Sequence, residues 1–307
     1  MEDLTILVTG GAGFIGSNLA NRLSDRNEVI AIDNGYLGVP KNLDKSVDFR
    51  RMDVLDEDLP TDVDVIFHLA ALSSYQMHKE NPTLGARVNV EGFVNVINQG
   101  LIDGCDTVVY ASTSSIYGSR KNPTSEAIFA EPNTGYEASK LARERYAEYF
   151  HNQHGMNLAG LRFFSVYQGY GGSELHKGKY ANVIAQFAED IANGIEPVIY
   201  GNGTQTRDFT HVNDIVEGAE SVAENKLSGV YNMGTGIPVS FNKVVDMINE
   251  EMGTSIGTKY IQNPIPESVY IHDTCADSTK IYESTGWKPK IGLKEGIKQV
   301  CQYYLEK

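Results

Sequence analysis

The stretch Thr9-Gly10-Gly11-Ala12-Gly13-Phe14-Ile15-Gly16 follows an apolar, β-rich run at residues 4–8 and precedes a helical periodicity over residues 14–23. Gly10, Gly13 and Gly16 stand three apart, a G-x-x-G-x-x-G spacing one residue different from the commoner G-x-G-x-x-G. Glycines here permit a tight turn and let the backbone around Phe14 and Ile15 approach a diphosphate. They also let the following helix pack close to the sheet with its positive end on the phosphates. Alone, such a turn is weak evidence. Its context is stronger: Asp33 ends the next β-rich run, residues 28–33, followed by Asn34. A carboxylate there accepts hydrogen bonds from the ribose hydroxyls of an adenosine and repels a 2′-phosphate, so NAD is expected rather than NADP. Asp53 and Val54, after the third run, are placed to meet the adenine.

Working outward, β-rich runs at residues 4–8, 28–33, 49–53, 64–69 and 107–111 alternate with helical segments. Residues 86–101 place Val88, Gly92, Val96 and Ile97 near one helical face, as a sheet-covering helix requires. Strands alternating with helices predict an α/β fold, a Rossmann-type doubly wound parallel sheet. Past residue 165 the alternation breaks into glycine-rich stretches, at Tyr167 to Gly172 and Gly201 to Gly203, short strands, and helices such as the one expected between Ser240 and Gly253 as caps. We therefore expect an NAD-binding domain over residues 1–165. Residues 166–307 would form a smaller C-terminal α/β substrate region, with later segments free to return to the sheet.

Composition narrows the function. Twenty-six basic against 40 acidic residues give a formal charge of −14, and no basic cluster offers a nucleic-acid surface. Cys105, Cys275 and Cys301 are odd in number and far apart, which suggests neither a disulfide framework nor a metal site. Acidic Glu2 and Asp3 and the absence of a long apolar run predict a cytoplasmic protein without a membrane span.

The catalytic signal is Tyr136-Glu137-Ala138-Ser139-Lys140, in a segment that reads as helix. Tyrosine and lysine at i and i+4 project from one face. A nearby ammonium and a nicotinamide cation favour the phenolate, so Tyr136 can take a hydroxyl proton while hydride leaves the same carbon. Many exposed helices carry such a pair. Here the hydroxyl-rich Ala111-Ser112-Thr113-Ser114-Ser115-Ile116-Tyr117-Gly118, at the end of the fifth run, is placed to face the same crevice.

With both motifs in hand, the chain resembles the extended short-chain dehydrogenase/reductase family, and within it the NAD-dependent nucleotide-sugar epimerases and dehydratases. The likeness extends through His68-Leu69-Ala70-Ala71, Asn89-Val90-Glu91-Gly92, Leu161-Arg162-Phe163-Phe164, Arg207-Asp208-Phe209, Gly234-Thr235-Gly236 and Gly286-Trp287-Lys288-Pro289. The resemblance implies that Thr113 holds the sugar oxygen beside Tyr136 and Lys140. It also implies that Leu69, Ala70, Ala71, Ser73 and Asn89 line the dinucleotide and that Phe164 lies near the nicotinamide. On the substrate side it implies Ser165, Tyr200 and the diphosphate-binding Arg207. It further implies a homodimer built from helices of the first domain, acting on a nucleotide-diphosphate sugar.

Sugar dehydratases of this family carry Asp-Glu after the threonine, and related decarboxylases a Glu in the second place. Here stand Ser114 and Ser115, which cannot act as carboxylate acid/bases near neutral pH. The remaining expectation is transient oxidation to a keto sugar and return of the hydride, as in UDP-glucose 4-epimerases. Two departures keep alternatives open: Ser165 replaces a usual Asn, and residues 266–276 lack a second phosphate-binding Arg. His176-Lys177-Gly178, Asn182-Val183 and Tyr270 instead resemble ADP-glyceromannoheptose 6-epimerases, which would make Lys177 a second acid/base and Tyr270 a substrate contact. A net dehydrogenase or reductase is the other alternative.

Overall fold

The computed structural model describes residues 1–168 and 174–306. Part of the glycine-rich stretch at 167–172 therefore lies outside the described residues. Strands β1 (Thr5–Thr9), β2 (Glu28–Asp33), β3 (Asp48–Arg51), β4 (Val65–His68), β5 (Thr107–Ala111) and β6 (Asn157–Phe163) form one parallel sheet. Its seventh strand is Gly229–Met233. The order is Gly229–Met233, β6, β5, β4, β1, β2, β3, so the chain reverses direction of travel between β1 and β4 and opens a crevice at their carboxyl ends.

Strand alternation explains how both faces are covered. Ile6 and Val8 point into a core shared with Leu19 and Leu23 of helix α1 (Phe14–Ser24) and with Ile215, Ala219 and Val222 of the helix Val212–Glu224. Leu7, Ile66 and Val108 point the other way, onto Phe93, Val96, Ile97 and Phe150. Each fully buried side chain of this size contributes roughly 1.5–3 kcal/mol of transfer free energy. A third core, with Ile184, Phe187, Val244, Ile248, Ile297 and Val300, joins the helices Val183–Ala192, Phe241–Met252 and Leu293–Leu305 in the C-terminal lobe. Ser240 and Gly253 cap the second of these, and all three cysteines are buried. The chain returns to the sheet late: Gly229–Met233 pairs with β6, and Val212–Glu224 packs on α1. No helix among the described residues is long and apolar enough to cross a membrane.

One expected helix differs. Residues 86–101 do not form a single α-helix; Pro82–Ala86 leads into a π-turn at Arg87–Glu91 and then the helix Gly92–Asp103. The Asn89 side chain bridges both backbone groups of Leu72, at 2.8 and 3.1 Å, and its carbonyl accepts from Arg143 Nε at 2.6 Å. An α-helical Asn89 would spend that carbonyl inside the helix.

Behind the crevice, a buried polar chain joins four elements. Arg162 on β6 donates through Nε and Nη2 to both oxygens of Glu144, at 2.8 and 2.6 Å, on the long helix Gly135–His154. Ser112 Oγ, at the end of β5, donates to the same carboxylate at 2.6 Å. Arg162 Nη1 donates to the Tyr117 hydroxyl, which donates to Asn232 Oδ1 on the edge strand at 2.7 Å. Removing Arg162 or Glu144 strands the other's buried charge, which typically costs about 3–5 kcal/mol. Arg162→Met is thus expected to lower unfolding free energy by roughly that amount, read from urea denaturation.

Candidate active site

The crevice, of about 610 Å³, is lined from the sheet side by the glycine turn and from the other side by residues of the C-terminal lobe. That volume lies in the range of small-molecule sites. At its floor, Gly10 has φ of +66°, and a methyl there would stand 2.7 Å from the Ala70 nitrogen. A methyl on Gly16 would meet the Gly10 carbonyl oxygen at 2.1 Å, so only glycine lets α1 begin this close to β1. The N-cap of α1 is Gly13, which has no side chain to satisfy the first-turn N–H groups. Those donors face a space bounded by Gly13, Phe14, Ile15 and Gly16.

Asp33 lies beyond this turn and accepts the Gly35 N–H at 2.8 Å. Burial is the largest influence on its carboxyl and pushes its pKa up; backbone N–H groups and Arg51 pull it back. Asn34 Nδ2 donates to Asp53 at 2.8 Å, fixing both at the rim, and Val54 packs against Gly92. Leu69, Ala70, Ala71 and Ser73 line the opposite wall. Their loop is shaped by Thr9, whose hydroxyl pairs with His68 Nδ1 at 3.0 Å and accepts the Ala70 N–H at 3.3 Å. An open diphosphate cradle, an uncapped helix end and a carboxylate at the tip of β2 fit a dinucleotide.

The helix Gly135–His154 presents the catalytic candidates. Thr134 and Glu137 form a reciprocal capping box, so the helix start, and Tyr136 with it, is fixed. Tyr136 and Thr113 both line the crevice; Thr113 caps the short turn Ser114–Tyr117 by accepting the Ser115 N–H at 3.2 Å. Lys140 is buried one turn on; its Nζ donates to the Ala111 carbonyl at 2.8 Å and lies 5.9 Å from the Tyr136 ring centre. Burial pushes the Tyr136 phenol up, and the groups that pull it down are the Thr113 hydroxyl first, then Arg143. Burial, then the Arg143 charge, holds Lys140 well below the usual lysine range. The sequence assigns the ammonium of Lys140 the electrostatic role toward the phenol; in the structure the influences that lower the phenol are the Thr113 hydroxyl and Arg143, with Lys140 5.9 Å from the ring centre.

From the C-terminal lobe, Ser165, Lys177, Asn182, Arg207 and Tyr270 line the crevice. Arg207 is held by the carbonyls of Thr206 and His272, at 2.8 and 2.9 Å, and of Ile271, with its guanidinium 5.4 Å over the Phe241 ring. Burial lowers the Arg207 pKa, and the neighbouring Tyr270 and Asp273 oppose that shift. The adjacent Asp208 faces away and accepts from the backbone of Thr235, Gly236 and Ala276, so this Arg-Asp pair is not a surface ion pair.

Four sequence candidates fall outside the lining. Phe164 is buried and stacked on Tyr117, while Phe163, the last residue of β6, faces the crevice. Asn89 sits one layer behind, engaged with Leu72 and Ser139. Val183 begins a helix whose cap, Asn182, reaches the crevice instead. Tyr200, on the short strand Val198–Tyr200, is exposed elsewhere on the lobe. Glu174, fully buried and lining the crevice, was not anticipated; its only sequence signal is an acid one helical turn before Lys177.

A family model described as the NAD dependent epimerase/dehydratase family matches residues 6–234. The chain belongs to this family. It is 35% identical over 306 residues to a putative UDP-glucose 4-epimerase of Methanocaldococcus jannaschii, covering 97% of each chain. It is 30% identical to UDP-glucuronic acid decarboxylase 6 of Arabidopsis thaliana, covering 96% of this chain and 87% of that one. Among solved structures it superposes with a TM-score of 0.92 and 29% identity on the UDP-N-acetylglucosamine 4-epimerase of Methanobrevibacter ruminantium in complex with UDP-N-acetylmuramic acid, covering 100% and 99% of the two chains. The cofactor is accordingly NAD. Replacing Asp33 by Ala should weaken NAD more than NADP and narrow the preference, as calorimetric titration of the two dinucleotides will read.

Proposed function

We propose that the protein is a UDP-sugar 4-epimerase that oxidises its substrate transiently and reduces the same carbon from the other side. The observation that carries this is the meeting of Thr113, Tyr136 and Lys140 at a crevice where Ser114 and Ser115 stand in place of a carboxylate. When bound, NAD supplies a hydride acceptor and donor. Tyr136 takes the proton of the sugar hydroxyl and later returns it. Thr113 hydrogen-bonds that oxygen and the phenol, and the Lys140 and Arg143 charges favour the phenolate as it forms. Arg207 and Tyr270 hold the diphosphate end, well suited to the planar fork of arginine. The serines disfavour elimination and decarboxylation, which need a further acid/base.

We further propose a cytoplasmic homodimer. The helices Gly92–Asp103 and Gly135–His154 leave Ile102, Tyr146 and Tyr149 exposed on the sheet lobe, an apolar set that supports pairing through these helices.

Tyr136→Phe should leave NAD binding nearly intact while lowering turnover on UDP-sugars about a hundredfold or more, the scale of a lost general acid/base. A variant that keeps its rate removes Tyr136 from the mechanism. A substrate deuterated at C4 should give product still deuterated at C4. Exchange with solvent there would indicate direct deprotonation, and accumulating NADH with a keto product would indicate a net dehydrogenase.

A further inference from the structure

The segment from Glu174 to Asn182 leaves the C-terminal lobe and reaches across the crevice to the sheet lobe. It is joined there on both sides. His176 Nδ1 pairs with Asn42 Nδ2 at 3.3 Å, beyond β2, and Lys179 Nζ and Tyr180 OH both donate to Glu80, at 2.7 and 2.8 Å. Between these anchors the Lys177 ammonium stands 5.4 Å from the centre of the Phe14 ring, at the first residue of α1. The fully buried Glu174 holds it there. Glu174 Oε1 accepts from Lys177 Nζ at 3.1 Å and from the Asn182 N–H at 2.6 Å, while the Glu174 N–H donates to Gln168 Oε1 at 2.9 Å. Apart from the lysine, the carboxylate accepts one hydrogen bond, from the Asn182 N–H, while Gln168 fixes the Glu174 backbone.

A cation beside the amino end of a helix is in an unfavourable field unless an anion lies between them. Here the helix end is the turn at Gly13, which carries no side-chain cap, so its first-turn N–H groups suit a diphosphate. Among the described residues the Lys177 ammonium is hydrogen-bonded to Glu174 and lies over the Phe14 ring.

We propose that Lys177 is a cofactor-binding residue: its ammonium joins the amino end of α1 in holding the diphosphate of NAD, and Glu174 is its positioning residue. The C-terminal lobe thereby keeps the cofactor in place between turnovers. This rests on the glycine turn being the dinucleotide site. It replaces the role of second acid/base at the sugar that the heptose-epimerase likeness implied for Lys177.

The test is the dissociation rate of NAD from the purified protein, measured by chasing bound labelled NAD with excess unlabelled NAD at two salt concentrations. Lys177→Met should speed release about tenfold or more and flatten its salt dependence, as loss of one charge-assisted contact does. Lys177→Arg should restore slow release, and Glu174→Gln should accelerate it with thermal unfolding little changed. The proposal is overturned if Lys177→Met leaves the release rate unchanged, whether or not turnover falls. A fall in turnover alone would place Lys177 at the sugar. Failure of the wild-type protein to bind NAD at all would overturn the reading on which the proposal rests, and calorimetry separates that case from slow or fast release.

Discussion

Lys140 and Arg143 are two cations on one face of the long helix, both buried, and no carboxylate pairs with either among the described residues. Backbone carbonyls hold them instead: Ala111 at the end of β5 takes Lys140, while Ala70 after β4 and Asn89 in the π-turn take Arg143. Carbonyl dipoles offset only part of the cost of removing a charge from water. The mismatch appears in both groups: Lys140 is held well below its ordinary range, and burial lowers Arg143 to about 9. Such an arrangement lowers stability unless an anion forms nearby. On the proposed mechanism the phenolate of Tyr136 is that anion, and the coupling is mutual, since a charge on Tyr136 raises Arg143. The uncompensated positive potential thus opposes the burial that otherwise keeps the phenol protonated.

The same two residues locate the site in the fold. Their carbonyl partners come from strand ends that meet only because β4 and β5 are neighbours in the sheet, and the third comes from a turn that exists only where the helix wall opens. The layer behind is fully paired. Glu144 receives Arg162 and Ser112 at short distances, and Tyr117 carries the chain to Asn232 on the late edge strand. An under-paired front layer on a saturated back layer is a rigid way to hold electrostatic strain, because the front cannot relax without breaking the network behind it.

Much of this was legible where the signal is local. The glycine turn, Asp33 and the Tyr136–Lys140 spacing each encode geometry within one turn of backbone, and the first five sheet strands fall within a residue or two of their expected ends. What escaped depends on distant partners. A pattern of apolar spacing reads straight through Asn89, because the reason for the π-turn lies in Leu72 and Arg143. Phe163 and Phe164 are adjacent and chemically alike, and only the register of β6 with Gly229–Met233 settles which one faces the crevice. Glu144 and Arg162 are ordinary charged residues in sequence, buried and bidentate in space.

The division of labour between the lobes explains how one tyrosine could serve both faces of a carbon. On the proposed function, Arg207 and Tyr270, which line the crevice from the C-terminal lobe, hold the diphosphate end. At the reacting end the chain offers two hydroxyls and a phenol, Thr113, Ser115 and Tyr136, and no carboxylate at positions 114 or 115 to fix one orientation of the ring. Binding energy spent at the nucleotide end leaves the sugar end loosely held, which a dehydrogenase with one product face does not need. A ring that must turn over between oxidation and reduction requires that asymmetry, firm where chemistry does not occur and permissive where it does.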